Sequence, residues 1–403
     1  MSENQQEWDI SSIGEYCITS SGGTPNRSDP LAYGGDIPWV KSGEVASTDI
    51  WATEEHITPH GLNSSSAKIA EEGSILVAMY GATAGQVARL KISAATNQAI
   101  LAIRPKSGAL DSDFLYHFIH RSKNALLATC QGSGQPNLSA GIIRDLEIAI
   151  PPLPEQKKIA EILSGIDHSL AKLSDKINAL TRLRVQLTRQ FLTNEDHLQS
   201  NQESILPLDW QVKTLDEVAQ FRRGSFPQPY GNPEWFDDNG FPFVQVFDID
   251  DNGKLKSSTK SRISKAGAEK SVFIPCGSLI VSLQGSIGRV AITQYDAYVD
   301  RTILIFTDYQ KDLDTAYFSL LVGDLFSRQG EVADGGVIKT ITKQTLKDFS
   351  IKVPPLNEQK RMSKVVFALD RHISLYKKKL LKGNFLKQSL MGDLLSGRKR
   401  VST

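Results

Sequence analysis

Apolar residues over positions 154–192 fall at 159, 162, 163, 166, 170, 173, 177, 180, 183, 187 and 191. Steps of three and four place them on one stripe of an amphipathic helix, spaced as the seam of a coiled coil. A second stretch, 357–395, repeats the pattern 203 positions later, pairing Ile162 with Val365, Ile166 with Leu369, Leu170 with Ile373, Ile177 with Leu380, Leu183 with Leu386 and Leu187 with Leu390. About 38 residues at 1.5 Å each predict a rod of ~57 Å. A single seam of that length needs a partner, and the other stretch is the obvious one. Ahead of each stretch, β-rich runs (Ser74–Met79 and Ala99–Ile103, then Ser278–Leu283 and Thr302–Phe306) are separated by Gly, Pro, Ser and Asn clusters. A shorter helical pattern follows near Asp113–Ala128 and again near Leu313–Phe326.

Both long helices open on nearly the same words, PPLPEQKKIAEILSGID (Pro151 to Asp167) and PPLNEQKRMSKVVFALD (Pro354 to Asp370). Proline is tolerated in a first helical turn, whose N–H groups lack partners, and Glu155 and Glu358 sit where the helix dipole favours a carboxylate. Upstream, EGSILVAMYGATAGQVA (Glu72 to Ala88) matches CGSLIVSLQGSIGRVA (Cys276 to Ala291) with one residue fewer. DIPWV at Asp36 matches GFPFV at Gly240, RDLEIAIPPL at Arg144 matches KDFSIKVPPL at Lys347, and Trp8 falls opposite Trp210. The chain is therefore a tandem duplication of a unit half its 403-residue length, too few and too long for a solenoid. The expected class is α+β: two homologous globular α/β domains joined by a pair of long antiparallel coiled-coil helices with a pseudo-two-fold axis. The expected segments are a first head over 1–150, a central spacer helix over 151–200, a second head over 201–352 and a C-terminal spacer helix over 353–403.

Composition narrows the class without naming a partner. Lys and Arg number 46 against 45 Asp and Glu, so any basic surface must be local. No apolar run is long enough to span a bilayer, and the polar start MSENQQEWDI lacks the order of a signal peptide. Cys17, Cys130 and Cys276 are scattered and in no metal-type spacing, which leads us to expect a reducing cytoplasm. His56 and His60 lie four apart, but Pro59 argues against a helix and hence a metal site there; His117 and His120 read as helix-surface residues. Asn232-Pro233-Glu234-Trp235 resembles an adenine-methyltransferase motif only superficially, lacking its second proline and a Gly-rich cofactor turn, and reads as a turn. Lys377, Lys378, Lys379, Lys382, Lys387 and Arg398 to Arg400 form a basic run, read first as a solvated coiled-coil flank and second as a phosphate or partner surface. With no Walker A sequence, helicase box or nuclease carboxylate cluster, neither a catalytic constellation nor a metal site is expected.

Two non-identical heads on a two-fold spacer suit a duplex, whose half-sites lie roughly 34 Å apart per helical turn. GGTPNRSDPLAYGGDIPWVKSGEV (Gly22 to Val45), GSILVAMYGATAG (Gly73 to Gly85), TNQAI (Thr96 to Ile100) and the PPLPEQKKIAEILSGID helix start resemble the specificity subunit of type I DNA restriction–modification enzymes. The resemblance covers both halves, although the second copy, GSFPQPYGNPEWFDDNGFPFV (Gly224 to Val244), lacks the GGTP and the tryptophan of the first. It implies a non-catalytic reader of bipartite, asymmetric double-stranded DNA, with each head a target-recognition domain. It further implies a spacer that sets the gap and docks two methyltransferase subunits, and restriction/translocase subunits as further partners. S-adenosylmethionine and ATP would then belong to partner subunits, with no cofactor in this chain. The rival readings are a self-contained nucleic-acid methyltransferase and a scaffold that binds only protein.

Base readout calls for planar or bidentate groups and phosphate grip for cations and small hydroxyls. The candidates in the first head are Thr24, Arg27, Lys41, Ser42, Tyr80, Thr83, Asn97, Gln98 and Gln135. In the second they are Arg222, Arg223, Ser225, Gln245, Gln284, Ser286, Arg289, Arg301 and Lys339. Any one of them can equally be an ordinary loop residue. Spacer and partner-docking candidates are Glu155, Gln156, Ile159, Ile162, Ile166, Glu358, Gln359, Val365 and Leu369. Glycines 22, 23, 81, 85, 285 and 288 are expected to permit tight turns.

Overall fold

The computed structural model describes residues 8–46, 49–106, 108–130, 137–193, 209–250, 253–333, 347 and 349–402. The two long helices run Leu153–Thr193 and Leu356–Leu394. The chain divides into two compact units, Met1–Ser174 with Lys379–Thr403, and Asp175–Lys378. Each unit thus holds one head, the first half of that head's own long helix and the last half of the other. The compact units cut through the spacer segments instead of setting them apart.

Among its described residues the first head has two larger sheets and a two-stranded pair. In the five-stranded sheet the order is Cys17–Ser21, Ile100–Pro105, Ile75–Ala78, Val87–Leu90 and Asp49–Ile50, antiparallel up to the last, parallel pair. Helix Ser112–Ala128 packs Phe114, Leu115 and Ile119 with Ile75, Val77, Leu101 and Ile103. Leu76, Ala78, Ala88, Leu90 and Ile100 join Val40 in a second cluster. Burial on both faces explains why Ile75–Ala78 reads as an unbroken apolar run. The four-stranded sheet is ordered Glu55–Ile57, Tyr33–Val40, Ala94–Thr96, Ile69–Ala70, its middle pair parallel.

The second head repeats the plan. Strands Gln220–Arg223, Ile303–Thr307, Leu279–Ser282 and Val290–Ile292 form one sheet, packed against Thr315–Ala333; Ser261–Ile263, Phe236–Val244, Ala297–Val299 and Val272–Ile274 form the other. An isolated Ile249–Leu255 bridge marks the region where the first head has its parallel edge strand. In each head a two-stranded pair, Asp9–Ser12 with Glu147–Ile150 and Gln211–Thr214 with Ser350–Val353, ties the start to the residues just before Pro-Pro. The inner strands and head helices follow the sequence pattern closely, whereas these ties carry too short a pattern to read.

The repeated helix start has a structural cause. Gln156 is fully buried; its Nε2 donates to the carbonyls of Ala109 (2.9 Å) and Pro151 (2.8 Å), and its Oε1 accepts from the Asp111 amide (2.7 Å). Gln359, equally buried, donates to Asp312 (2.9 Å) and Pro354 (2.8 Å) and accepts from the Asp314 amide (2.8 Å). Asp111 and Asp314 in turn accept from Phe114 and Tyr317, capping the helix of each head. One side-chain amide therefore bolts the start of a spacer helix to the start of a head helix.

Within each unit the two long helices pack antiparallel. In the first unit Glu155 holds Arg400 through two bonds of 2.7 Å, Asp167 pairs with Lys387, and Leu170 lies against Gly383. In the second, Lys176 lies over the Tyr376 ring and Arg184 pairs with Asp370 at 3.1 Å. Asp167 and Asp370 are equivalent in the repeat, as are Arg184 and Lys387, so one ion pair is written twice with its partners on opposite helices. Ile159 and Leu163 are buried, but Ile162, Ile166 and Leu170 are half-buried and Leu183 is 43% exposed. The expected continuous seam is therefore only partly closed.

The head-to-helix junctions differ in chemistry. In the first unit Arg89 pairs with Asp49 (2.6 Å) and Asp113 (3.0 Å), donates to Ser164 (3.2 Å) and lies over the Tyr116 ring. His117 Nε2 meets Ser164 Oγ at 3.0 Å. The second unit has Ile292, Ala316, Leu320 and Phe367 where the repeat aligns Arg89, Asp113, His117 and Ser164. His117 is wholly buried and His120 half-buried, so the expectation of two helix-surface histidines fails, because this helix face is turned into the junction. Burial pushes the His117 imidazole down to about 3, against the pull of Asp167.

Two predictions follow from these junctions. Gln156→Leu leaves two carbonyls and an amide without their partner in a dry site, each worth ~1–3 kcal/mol. Urea denaturation should show a loss of at least ~2 kcal/mol, whereas Lys157→Leu at the exposed neighbour should change little; equal effects would refute the bolt. For His117, the folded pKa lies below the unfolded one, so its contribution is complete above about 6.5 and declines as pH falls toward about 3. His117→Leu, the residue found at the equivalent place in the second head, should flatten the stability curve between pH 4 and 6.5 by up to ~1.4 kcal/mol per pH unit. An unchanged slope would remove His117 as its source.

Candidate nucleic-acid interface

Both heads build their four-stranded sheet on the same backbone. A Cβ at Gly22 would meet the Thr96 carbonyl at 2.0 Å, and one at Gly224 the Val299 carbonyl at 2.3 Å. Gly22 therefore permits close approach rather than the expected turn, while Gly81, Gly85, Gly285 and Gly288 do adopt positive φ. The Asn97 amide donates to Val40 and the Asp300 amide to Val244, each at 3.0 Å. Their side chains then accept from Ala99 (3.1 Å) and Thr302 (2.8 Å). Glu44 caps the Lys41 amide as Asp248 caps that of Gln245. Pro30–Ala32 and Pro233–Trp235 form matching 3-10 turns, so the Asn-Pro-Glu-Trp stretch is a turn with Trp235 buried.

On this common frame the polar side chains differ. In the first head Arg27 bonds Glu55 at 2.7 Å and lies over the rings of Tyr33 (4.6 Å) and Trp39 (5.1 Å). Lys41 reaches Glu54 (2.8 Å) and Glu55 (3.1 Å). The hydrogen bond from Arg27, then that from Lys41, holds the Glu55 carboxyl below its ordinary range. Arg27, Glu54 and Glu55 line an open cleft of about 390 Å³ with Tyr33 and His56. Beside it Thr24 bonds the Gln98 side chain. In the second head Ser261 donates to Gln245 (3.2 Å), Gln245 to Tyr230, and Tyr230 to Asp300 (3.0 Å). Burial, then the Asp300 charge, pushes the Tyr230 hydroxyl up to about 12, so it remains a donor. Tyr230, Gln245, Phe247, Asp300 and Arg301 border a cleft of about 280 Å³.

The structure brings Arg27 with Lys41 and Thr24 with Gln98, and leaves Arg301 exposed beside the second cleft. Other candidates lie elsewhere in their heads. Tyr80 and Thr83 belong to the turn after Ile75–Ala78, with Tyr80 40% exposed and bridged to Asn137. Ser42 opens the 3-10 turn capped by Glu44, and the Asn97 Oδ1 accepts from the Ala99 amide of its own turn. Arg222 and Arg223 are exposed on an edge strand, Gln284 and Ser286 are exposed in a turn, Ser225 bonds the Lys270 carbonyl, and Arg289 bonds that of Ile249. Gln135 and Lys339 lie outside the described residues. Sequence reading missed Glu55, Tyr230, Asp300 and Ser261. Glu55 and Ser261 are 206 positions apart rather than 203, so the simple repeat offset does not align them.

Among the spacer candidates, Glu155, Gln156, Ile159 and Gln359 are buried within the chain, and Glu358 accepts from Trp210 Nε1 at 3.1 Å. These contacts hold the fold together; Glu358 is half-buried, Val365 is 39% exposed and Ile162, Ile166 and Leu369 are half-buried. Burial opposes the Glu155 charge, but Arg400 and the Val401 amide outweigh it and hold the carboxyl below its ordinary range. The basic run is partly self-neutralised: Lys387 pairs with Asp167, Arg398 and Lys399 pair with Asp393, and Arg400 with Glu155. Pro59, read as a helix breaker, is instead the first residue of a short helix, Pro59–Asn63, capped by Thr58. His60 pairs with Asp29, and no group of His, Cys, Asp or Glu suited to a metal occurs among the described residues. No described helix is long and apolar enough to cross a membrane.

The sequence model of the type I restriction modification DNA specificity domain matches residues 5–182 and again 207–382. The specificity subunit of the type I restriction enzyme MjaVIII from Methanocaldococcus jannaschii is 23% identical over 415 residues, covering 98% of this chain and 94% of that protein. The EcoBI specificity subunit of Escherichia coli is 25% identical over 333 residues, covering 75% of this chain and 68% of that protein. In fold, the chain is similar to the crystal structure of the S subunit of a type I restriction–modification system from M. genitalium, with a TM-score of 0.59, 15% identity and 98% of each chain covered.

Proposed function

The chain belongs to the family of type I restriction–modification DNA specificity subunits, and we propose that each of its heads reads one half of a bipartite, asymmetric DNA target. The observation that carries this reading is the common backbone frame of the two four-stranded sheets, which holds Arg27, Lys41 and Glu55 in one head and Tyr230, Gln245 and Ser261 at the matching places in the other. A reader of two unlike half-sites needs that combination of constant support and divergent contact chemistry. The spacer helices fix the gap between the half-sites, and the bolts at Gln156 and Gln359 keep each head from swinging on its helix.

The spacer also docks the methyltransferase subunits. On the second long helix Leu381, Phe385 and Leu386 are 71%, 76% and 56% exposed. Leu386 borders an apolar groove of about 400 Å³ with Ile162, Ile166, Leu170 and Gly383. Such a face on a helix pair suits the apolar side of a partner helix. Two methyltransferase subunits and the restriction/translocase subunits complete the assembly in the cytoplasm. They supply the S-adenosylmethionine and ATP sites, and this chain supplies specificity without catalysis.

Co-expression with the cognate methyltransferase subunit tests both claims. A soluble complex should copurify and deposit adenine methylation genome-wide in one split motif, two short defined blocks around a fixed gap. Leu381→Asp with Phe385→Asp should abolish copurification. Methylation by this chain alone would instead establish an enzyme, and a soluble complex that methylates nothing would leave only a protein-binding scaffold.

A further inference from the structure

The two heads act as an internal comparison. Positions that support the backbone frame carry the same chemistry in both, among them Gln156 and Gln359, Gly22 and Gly224, Asp111 and Asp314, and the acidic caps Glu44 and Asp248, whereas the buried head-to-helix junction differs. Residues that discriminate unlike half-sites must lie where the copies differ, at polar side chains reachable from solvent. Arg222, Arg223 and Arg301 are exposed cations suited to phosphate, a grip without sequence information.

Three matching frame positions carry bonded polar side chains that differ between the heads. Arg27 aligns with Tyr230, each two residues before the residue capping a matching 3-10 turn. Lys41 aligns with Gln245, each the residue capped by the acid three positions on. Glu55 aligns with Ser261, each opening the edge strand of the four-stranded sheet. In one head the three make a cation–carboxylate–cation bridge, in the other a hydroxyl–amide–hydroxyl relay. Lys41 also reaches Glu54 and Tyr230 donates to Asp300, so the side chains of both sets are held in place before any ligand arrives.

The geometry points to Arg27, Lys41 and Glu55 as the set that reads the first half-site at a G·C pair, and to Tyr230, Gln245 and Ser261 as the set that reads the second half-site at an A·T pair. Arg27 and Lys41 offer only donors, which suits the two major-groove acceptors of guanine; the Gln245 amide offers a donor and an acceptor, which suits adenine. Glu55 is a positioning residue: one carboxylate fixes the separation of the two cations. The inference rests on the reading of the chain as a two-headed DNA reader.

The test uses the full chain with its methyltransferase subunit and maps methylation for three variants against wild type. Arg27→Tyr, Lys41→Gln and Glu55→Ser together place the second head's set on the first head's frame. Glu55→Gln alone is the milder variant, and Gln245→Ala addresses the second head. We expect the triple variant to rewrite or relax positions in one block, leaving the other block and the gap intact. Glu55→Gln should relax one G·C position of that same block, raising methylation of the mismatched site by about tenfold or more. Gln245→Ala should relax an A·T position of the other block. An unchanged motif with merely slower methylation in Glu55→Gln and Gln245→Ala would overturn the inference, as would a first block without a G·C pair. A wild-type complex that yields no split motif defeats the underlying functional reading instead, so the two failures are distinguishable.

Discussion

One buried side-chain amide, used twice, is the interaction on which the architecture depends. A spacer helix and a head helix each begin with backbone groups that lack helical partners. Gln156 and Gln359 bring two such beginnings together, accepting from one backbone amide and donating to two carbonyls. The Pro-Pro step before each long helix fixes where the chain turns, and the glutamine fixes what it turns against. A polar group buried this completely is stabilising only while every partner is in place. The junction therefore resists movement of each head against its own helix.

Around that shared bolt the two units are free to differ. The first surrounds it with charge and imidazole, Arg89 bridging two carboxylates and His117 held neutral; the second has aliphatic and aromatic residues at the same places. The same division recurs around the four-stranded sheets, where matching backbone bonds agree to within a few tenths of an ångström while the side chains change chemical class. Divergence has been tolerated wherever the backbone frame does not depend on it. The terminal segment adds a feature specific to the first unit, in which Arg400 closes on Glu155 while Glu358 in the second unit takes Trp210 Nε1 as its donor.

Much of this was legible in the sequence. The offset of 203 residues exposes the duplication, the three-and-four spacing gives the long helices, and Ile75–Ala78 and Leu279–Ser282 read as buried strands. The site was less legible, for identifiable reasons. Helical spacing shows which residues share a stripe but not how far a partner covers it, hence the exposure of Leu183 and Leu386. Gln156 looks like a solvent-facing polar residue, because its carbonyl partners at Ala109 and Pro151 carry no side-chain signature. Pro59 was misread because a proline that breaks a helix and one that begins it look alike without the Thr58 cap. Glu55 and Ser261 escaped because unequal loop lengths shift them out of the simple offset.

In each head the backbone frame is kept while the polar side chains it carries change. The most direct measurement is the methylation motif of a chain in which the second head, with its tie strands, Pro-Pro step and helix start through Phe367, replaces the first through Ser164, co-expressed with the methyltransferase subunit. If the bolt and frame are interchangeable, the complex will assemble and write a symmetric motif carrying the second block at both ends of an unchanged gap. A motif that retains the original first block, or a chain that no longer folds into an active complex, would contradict the account.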